Sequence, residues 1–188
     1  MNRFGQHAFE PVWRTRTSLF AHPVPEKVAS WVYDPGSLTR RVQQSCDGHF
    51  HVEVIAQYRG RPLLNEATRL RVHADQAALI REVYLYCDDT PWVYARTIIP
   101  HTTLTGRQRH LAHLGNRPLG AALFADATMR RDEVEVACMR PTHRLFDTAT
   151  AALGQAPEMI WGRRSVFYVG GKPLLVNEVF LPPVFNAG

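Results

Sequence analysis

Two charged side chains stand where strand alternation calls for apolar ones. Within residues 79–87, Arg81 shares a strand face with Leu79, Val83, Leu85 and Cys87. Within residues 174–181, Glu178 shares a face with Leu174, Val176 and Phe180. An ionised group buried without a partner is very costly, so each charge needs one. Two arrangements meet that need. One is an Arg81–Glu178 ion pair that holds the sheet. The other is a closed polar site in which both charges face a ligand. Buried ion pairs add little net stability, which leaves room for a reason other than stability. Arginine offers a planar, always charged fork for a carboxylate. Glutamate offers a hydrogen bond or a proton. Arg96, in line with Trp92, Tyr94 and Ile98, and Glu66, in line with Leu64 and Leu70, are weaker candidates. A place at a sheet end would let either reach water.

Other chemistries find less support. Nine histidines invite a metal, and His49 with His51, or His110 with His113, could share a face. Neither pair has an HExxH pattern or a nearby cysteine pair, so no metal site is expected. No glycine-rich phosphate loop, GxSxG elbow or nucleotide fingerprint is present. Cys87 on an apolar strand reads as an inert core residue. Cys46, Cys87 and Cys138 are far apart and odd in number, which predicts reduced thiols in a cytosolic protein.

These side chains need a scaffold. The chain has 188 residues, 45% of them hydrophobic and 21% charged, which suits one globular domain and excludes global disorder. No apolar run approaches the roughly 18 residues of a membrane span, and the first 30 residues do not read as a signal peptide. Residues 1–22 read as an N-terminal arm. Helices are expected over 25–33 and, capped by Ser37, over 38–44. From His49 the period changes to two. Strands are expected over 51–56, 63–72, 77–87, 92–99, 132–138, 165–169 and 174–181. Helices over 103–114 and 119–124 form a helix-turn-helix pair, and a weak helix lies within 142–153. A turn residue, a proline and an apolar strand recur at 60–66, 89–96 and 171–178. The class is α+β, with one antiparallel sheet.

The ordered segments Ile80-Arg81-Glu82-Val83, Asp89-x-Pro91-Trp92 and Ala95-Arg96-Thr97-Ile98-Ile99-Pro100 resemble the central block of the bacterial chorismate pyruvate-lyase family. So do Leu104-Thr105-Gly106 and Leu114-Gly115-x-x-Pro118-Leu119-Gly120-x-x-Leu123-Phe124. The runs Trp161-Gly162-Arg163-Arg164-Ser165, Gly171-Lys172-Pro173-Leu174-Leu175 and Asn177-Glu178-x-Phe180-Leu181-Pro182 complete a likeness over about residues 25–183. The resemblance implies an internal pocket beneath two helix-turn-helix lids. It implies a cofactor-free lyase, active without metal, that converts chorismate to 4-hydroxybenzoate and pyruvate for ubiquinone synthesis. It implies that Arg81 binds the ring carboxylate, that Glu178 lies at the other end of the ligand, and that Leu38 and Leu119 touch it from the lids. Leu38 stands where the family pattern has methionine, a volume-conserving swap. Residues 140–157 read as an insertion that lengthens a surface connection.

A net charge of +5, with 20 of 22 basic residues arginine, would also fit an anionic partner. The pairs Arg130–Arg131 and Arg163–Arg164 are read instead as solvated charge, and no nucleic-acid partner is expected. The other function class weighed is a non-catalytic sensor that binds an aromatic carboxylate on the same fold. A sensor would normally carry a DNA-binding head, and about 22 residues before the first helix are too few for one. The expectation is a cytoplasmic monomer.

Overall fold

Alternation is strongest over residues 77–100, and that stretch forms the central hairpin of the fold. The computed structural model describes residues 9–18 and 23–186. Its strands are β1 (Arg14–Thr15), β2 (Phe50–Gly60), β3 (Ala78–Cys87), β4 (Thr90–Pro100), β5 (Arg130–Arg131), β6 (Glu135–Met139), β7 (Ile160–Val169) and β8 (Lys172–Phe180). They pair in the order β1-β6-β7-β8-β4-β3-β2, with β5 also on β7, and every strand pair is antiparallel. Helices α1 (Glu26–Val32), α2 (Leu38–Ser45), α3 (Leu64–Leu70), α4 (Leu119–Phe124) and α5 (Arg144–Thr150) accompany the sheet. The helix expected over 103–114 is a tighter 3-10 helix, Gly106–His113. Of the N-terminal arm, residues 1–8 and 19–22 lie outside the described residues, while β1 pairs with β6.

Both sheet faces are covered. On one, Val28, Trp31 and Val32 of α1 and Leu38 and Val42 of α2 pack on Val83, Val93, Trp161 and Phe180. Farther along that face, Leu111 and Leu123 sit over Leu79, Phe167, Leu174 and Val176. On the opposite face, Leu145, Phe146 and Ala149 of α5 pack on Tyr84, Tyr94, Ile160 and Val179. A sheet covered on both sides has strands that are buried almost throughout, as β4 and β7 are.

Several expectations change. Residues 63–72 do not form a strand; they contain α3. The spacing from Glu66 to Leu70 is four, which satisfies a period of two and a period of 3.6 alike. End-capping decides for the helix. Glu66 accepts from the Leu63 N–H at 2.8 Å, and Glu10 accepts from the N–H groups of Leu64 and Asn65 at 3.0 and 2.8 Å. The first copy of the recurring turn-proline unit is therefore not a strand.

Glu66 and Arg96 do not reach water. They are 1% and 5% exposed, and Arg96 donates to Glu66 at 2.9 Å and also to Glu82. Desolvation works against the Arg96 charge, but bonding and attraction to Glu66 outweigh it and raise its pKa. Cys46 and Cys87 are disulfide-bonded, with Cα atoms 5.6 Å apart, and only Cys138 is free. The hairpin β2–β3 and the end of α2 bring them together, a proximity that sequence separation hides. Two of the three cysteines expected as reduced thiols are therefore oxidised. Among the described residues no helix is long and apolar enough to cross a membrane.

Residues 140–157 do more than lengthen a surface connection, because α5 closes one face of the sheet. Phe146 is 1% exposed. Phe146→Ala should therefore cost roughly 3–5 kcal/mol, read from urea unfolding. A loss within about 0.5 kcal/mol, as at an exposed site, would contradict this packing.

Candidate active site

Strand register builds the site from side chains on one face. Arg81 of β3 lies opposite Thr97 of β4, Thr97 opposite Val176 of β8, and Val176 opposite Ser165 of β7. The adjacent row of that face runs Val83, Ala95, Glu178 and Arg163. Arg81 and Glu178 are thus two strands apart, roughly 10 Å at 4.8 Å per strand, and offset by one row. Helices α1 and α2, with the turn between them, and the 3-10 helix with α4 cover this surface. The enclosed cavity is lined by all four residues singled out from sequence: Leu38, Arg81, Leu119 and Glu178. Its remaining wall is largely apolar, with Val52, Leu85, Leu123 and Phe167.

Arg81 and Glu178 do not pair with each other. Arg81 is 2% exposed and donates to two neutral oxygens, Gln57 Oε1 and the Arg117 carbonyl, each at 3.3 Å. Among the described residues no carboxylate lies within ion-pair distance of it. Burial accordingly lowers its pKa. Gln57 reaches Arg81 through an irregularity in β2. Pairing with β3 slips by one residue between Val54 and Ala56. That slip reverses which side chains face the cavity side and sets Gln57 opposite Arg81. The Gln57 amide also donates to the Ala112 carbonyl at 3.0 Å, which ties the sheet to the second lid.

Glu178 instead accepts from Arg163, directly opposite on β7, at 2.5 Å. Arg163 is 1% exposed and also donates to the carbonyls of Trp31 and Asp34, at 3.2 and 2.7 Å. It joins Glu178 to the turn between α1 and α2. Arg131 lines the cavity as well; it donates to Ser165 Oγ at 3.0 Å and to the Pro35 carbonyl at 3.4 Å. The arginine pairs read as solvated charge are thus partly interior. Arg163 and Arg164 alternate, so they enter opposite faces of a doubly covered strand, and Arg164 bonds Glu135 at 2.7 Å. Sequence held one usable signal: Arg163 alternates with Trp161, Ser165 and Phe167 in a strand that begins at Ile160, not at 165. The lining carries three guanidiniums and one carboxylate, a net charge of +2 in a mostly apolar enclosure.

The two lids meet at Gly120. A Cβ there would stand 2.8 Å from Thr39 Oγ1 and 3.5 Å from Ser37 Oγ. Glycine lets α4 approach α2 closely enough to seal the cavity.

Residues 10–187 match the family model described as chorismate lyase. The chain belongs to the chorismate lyase family. A relative from Methylococcus capsulatus, named "Probable chorismate pyruvate-lyase", is 43% identical over 84% of this chain and 96% of its own length. One of the same name from Photobacterium profundum is 40% identical over 93% of this chain and 88% of its own. Among solved structures, the effector domain of PhnF from Mycobacterium smegmatis superposes with a TM-score of 0.59 at 17% identity, covering 79% of this chain and 90% of that domain. The C-terminal domain of the histidine utilization repressor from Pseudomonas syringae gives 0.54 at 11% identity, covering 72% and 93%. These two likenesses establish the fold.

Unequal partners imply unequal stabilities. Glu178→Met leaves Arg163 buried without its carboxylate and should cost roughly 3–5 kcal/mol. Arg81→Met removes two neutral hydrogen bonds together with a desolvated charge, and should change stability by no more than about 1 kcal/mol. Urea unfolding of both variants checks this. Equal, large losses would mean that Arg81 has a structural carboxylate partner after all.

Proposed function

We infer that this member of the family is a lyase converting chorismate to 4-hydroxybenzoate and pyruvate, the first being supplied to ubiquinone synthesis. One observation carries the reading beyond family membership. The cavity holds a deeply buried arginine with no carboxylate partner among the described residues, and a net charge of +2, while chorismate is a dianion. The guanidinium fork of Arg81 grips the ring carboxylate and exchanges two neutral acceptors for a charged one. Leu38 and Leu119 close on the ring from the two lids. Glu178 lies at the other end of the ring, where it meets the C4 hydroxyl. Its Oε2 is held by Arg163, and Oε1 faces no hydrogen-bond donor among the described residues.

The reaction is balanced within the substrate. The C3–O bond breaks, and the hydrogen on C4 passes to the enolpyruvyl methylene, which becomes the methyl group of pyruvate. The C–O electrons become the pyruvate carbonyl, and C3=C4 completes an aromatic ring. Aromatisation drives the step. The protein supplies orientation and electrostatics in a water-excluded space. We assign Glu178 to orientation and polarisation of the hydroxyl, since its partner Arg163 holds it as a fixed acceptor. The reading takes the whole chain as one working domain, with residues 1–22 as an arm and 140–157 as an insertion, acting as a cytoplasmic monomer.

Incubation of the purified chain with chorismate should release 4-hydroxybenzoate and pyruvate in equal amounts by chromatography. Arg81→Lys keeps the charge and loses the fork, so kcat/KM should fall by about 100-fold, the scale of misplaced reacting groups. Unchanged chorismate with the parent chain would defeat the lyase assignment. Near-parental turnover by folded Arg81→Lys would remove Arg81 from the ring carboxylate.

Product retention follows from the same geometry. 4-Hydroxybenzoate keeps the ring carboxylate, so it stays against Arg81 until a lid opens. Thr39 is β-branched and stiff, and yields little to a side chain at position 120. Gly120→Val should therefore hold the lids apart and weaken 4-hydroxybenzoate binding on the order of tenfold, or 1.4 kcal/mol. Calorimetry reads the affinity, and stopped-flow mixing reads the initial product burst, which should shrink. An unchanged affinity and burst would place release elsewhere.

A further inference from the structure

Five buried side-chain nitrogen or oxygen atoms among the described residues lack a hydrogen-bond partner: His51 Nδ1, Asn65 Nδ2, Tyr94 Oη, Arg131 Nη2 and Asn177 Oδ1. Only Arg131 among these residues lines the cavity. A buried donor left unpaired costs free energy, and here the donor is charged. The rest of the guanidinium is firmly placed. Nε donates to Ser165 Oγ, Nη1 to the Pro35 carbonyl, and the group lies 5.1 Å above the Phe167 ring. Nothing in this arrangement spends the remaining donor. Among the described residues Arg131 forms no ion pair. Burial lowers its pKa, as does Arg163, while Glu178 and Asp34 oppose the shift.

Register places this donor relative to Arg81. Ser165, which holds Nε, ends the row that Arg81 begins, three strands away or roughly 14 Å along the sheet. The two guanidiniums approach the cavity from opposite sides, with Thr97 and Val176 as floor between them. Arg163 is already paired with Glu178, so its charge is met within the protein. Among the described residues Arg81 and Arg131 are the two lining cations without a carboxylate partner. A dianion with well-separated carboxylates would satisfy both.

Resting on the lyase reading, we propose that Arg131 is a second anchor, one that binds the enolpyruvyl carboxylate of chorismate through Nη2. The assignment makes the two anchors unequal in the course of turnover. Arg81 holds a carboxylate that stays with the aromatic product. Arg131 holds the one that departs with pyruvate. It contributes to recognition of substrate and to orientation of the side chain whose methylene receives hydrogen, but not to retention of 4-hydroxybenzoate.

That inequality gives a readout that a purely structural role would not move. Arg131→Gln should raise the KM for chorismate at least tenfold, while its calorimetric affinity for 4-hydroxybenzoate stays within twofold of the parent. Arg131→Lys keeps the charge and should recover part of the KM, again with unchanged product affinity. Arg81→Gln should weaken both ligands. Circular dichroism and thermal melting accompany each variant, and the lysine variant carries the comparison should the glutamine variant not fold. If Arg131→Gln leaves chorismate KM unchanged, or weakens both ligands equally, the second anchor is wrong and Arg131 only holds the Pro35 turn. If the parent chain does not convert chorismate at all, the lyase reading itself has failed, which is a different result.

Discussion

Burying the Arg81 guanidinium takes it out of water, and the protein returns only two neutral oxygens at 3.3 Å. Charge in a low-dielectric interior is tolerated when something meets it, and the desolvation of Arg81 is left largely unmet. Elsewhere the same fold does the opposite. Arg96 is met by Glu66 and Glu82, Arg163 by Glu178, and Arg164 by Glu135. The contrast within one sheet separates charges met inside the protein from Arg81, whose charge is not met by a carboxylate among the described residues. Stability left unrealised at a binding site is the usual cost of function.

The scaffold exists to maintain that imbalance. Strand alternation aims Arg81, Val83 and Leu85 at one side, while Glu82 and Tyr84 face the other. A one-residue slip in β2 brings in Gln57, which both steadies Arg81 and fastens the second lid through Ala112. Arg163 and Arg131 tie the turn between α1 and α2 to the sheet through the carbonyls of Asp34 and Pro35. The two covers come together at Gly120, where a Cβ would stand 2.8 Å from Thr39 Oγ1. Lids and charges are therefore one network. Arg131 and Arg163 line the cavity and also hold the first of the covers that enclose it.

Much of this was legible in sequence where a single rule applied. Period-two alternation picked out β3, β4 and β8, and with them the faces of Arg81 and Glu178. Ser37 marked the start of α2, while its place in a cover came from the family resemblance. Legibility failed where two rules coincided or where the partner was distant in the chain. A spacing of four made Glu66 and Leu70 compatible with strand and helix alike, and the deciding cap came from Glu10, more than fifty residues away. Adjacent arginines looked like solvated charge because local reading does not show that both faces of β7 are covered. The disulfide between Cys46 and Cys87, and the role of α5 as a wall, depend on which elements become neighbours, which only the assembled sheet reveals.

The central claim is that Arg81 is kept without a carboxylate so that a ligand can supply one. A crystal structure of the chain with 4-hydroxybenzoate tests it most directly. The ring should lie inside the cavity with its carboxylate bridging both terminal nitrogens of Arg81, in place of the Gln57 and Arg117 oxygens, and with its hydroxyl at Glu178. A ring bound outside the cavity, or reversed with its carboxylate away from Arg81, would contradict the account.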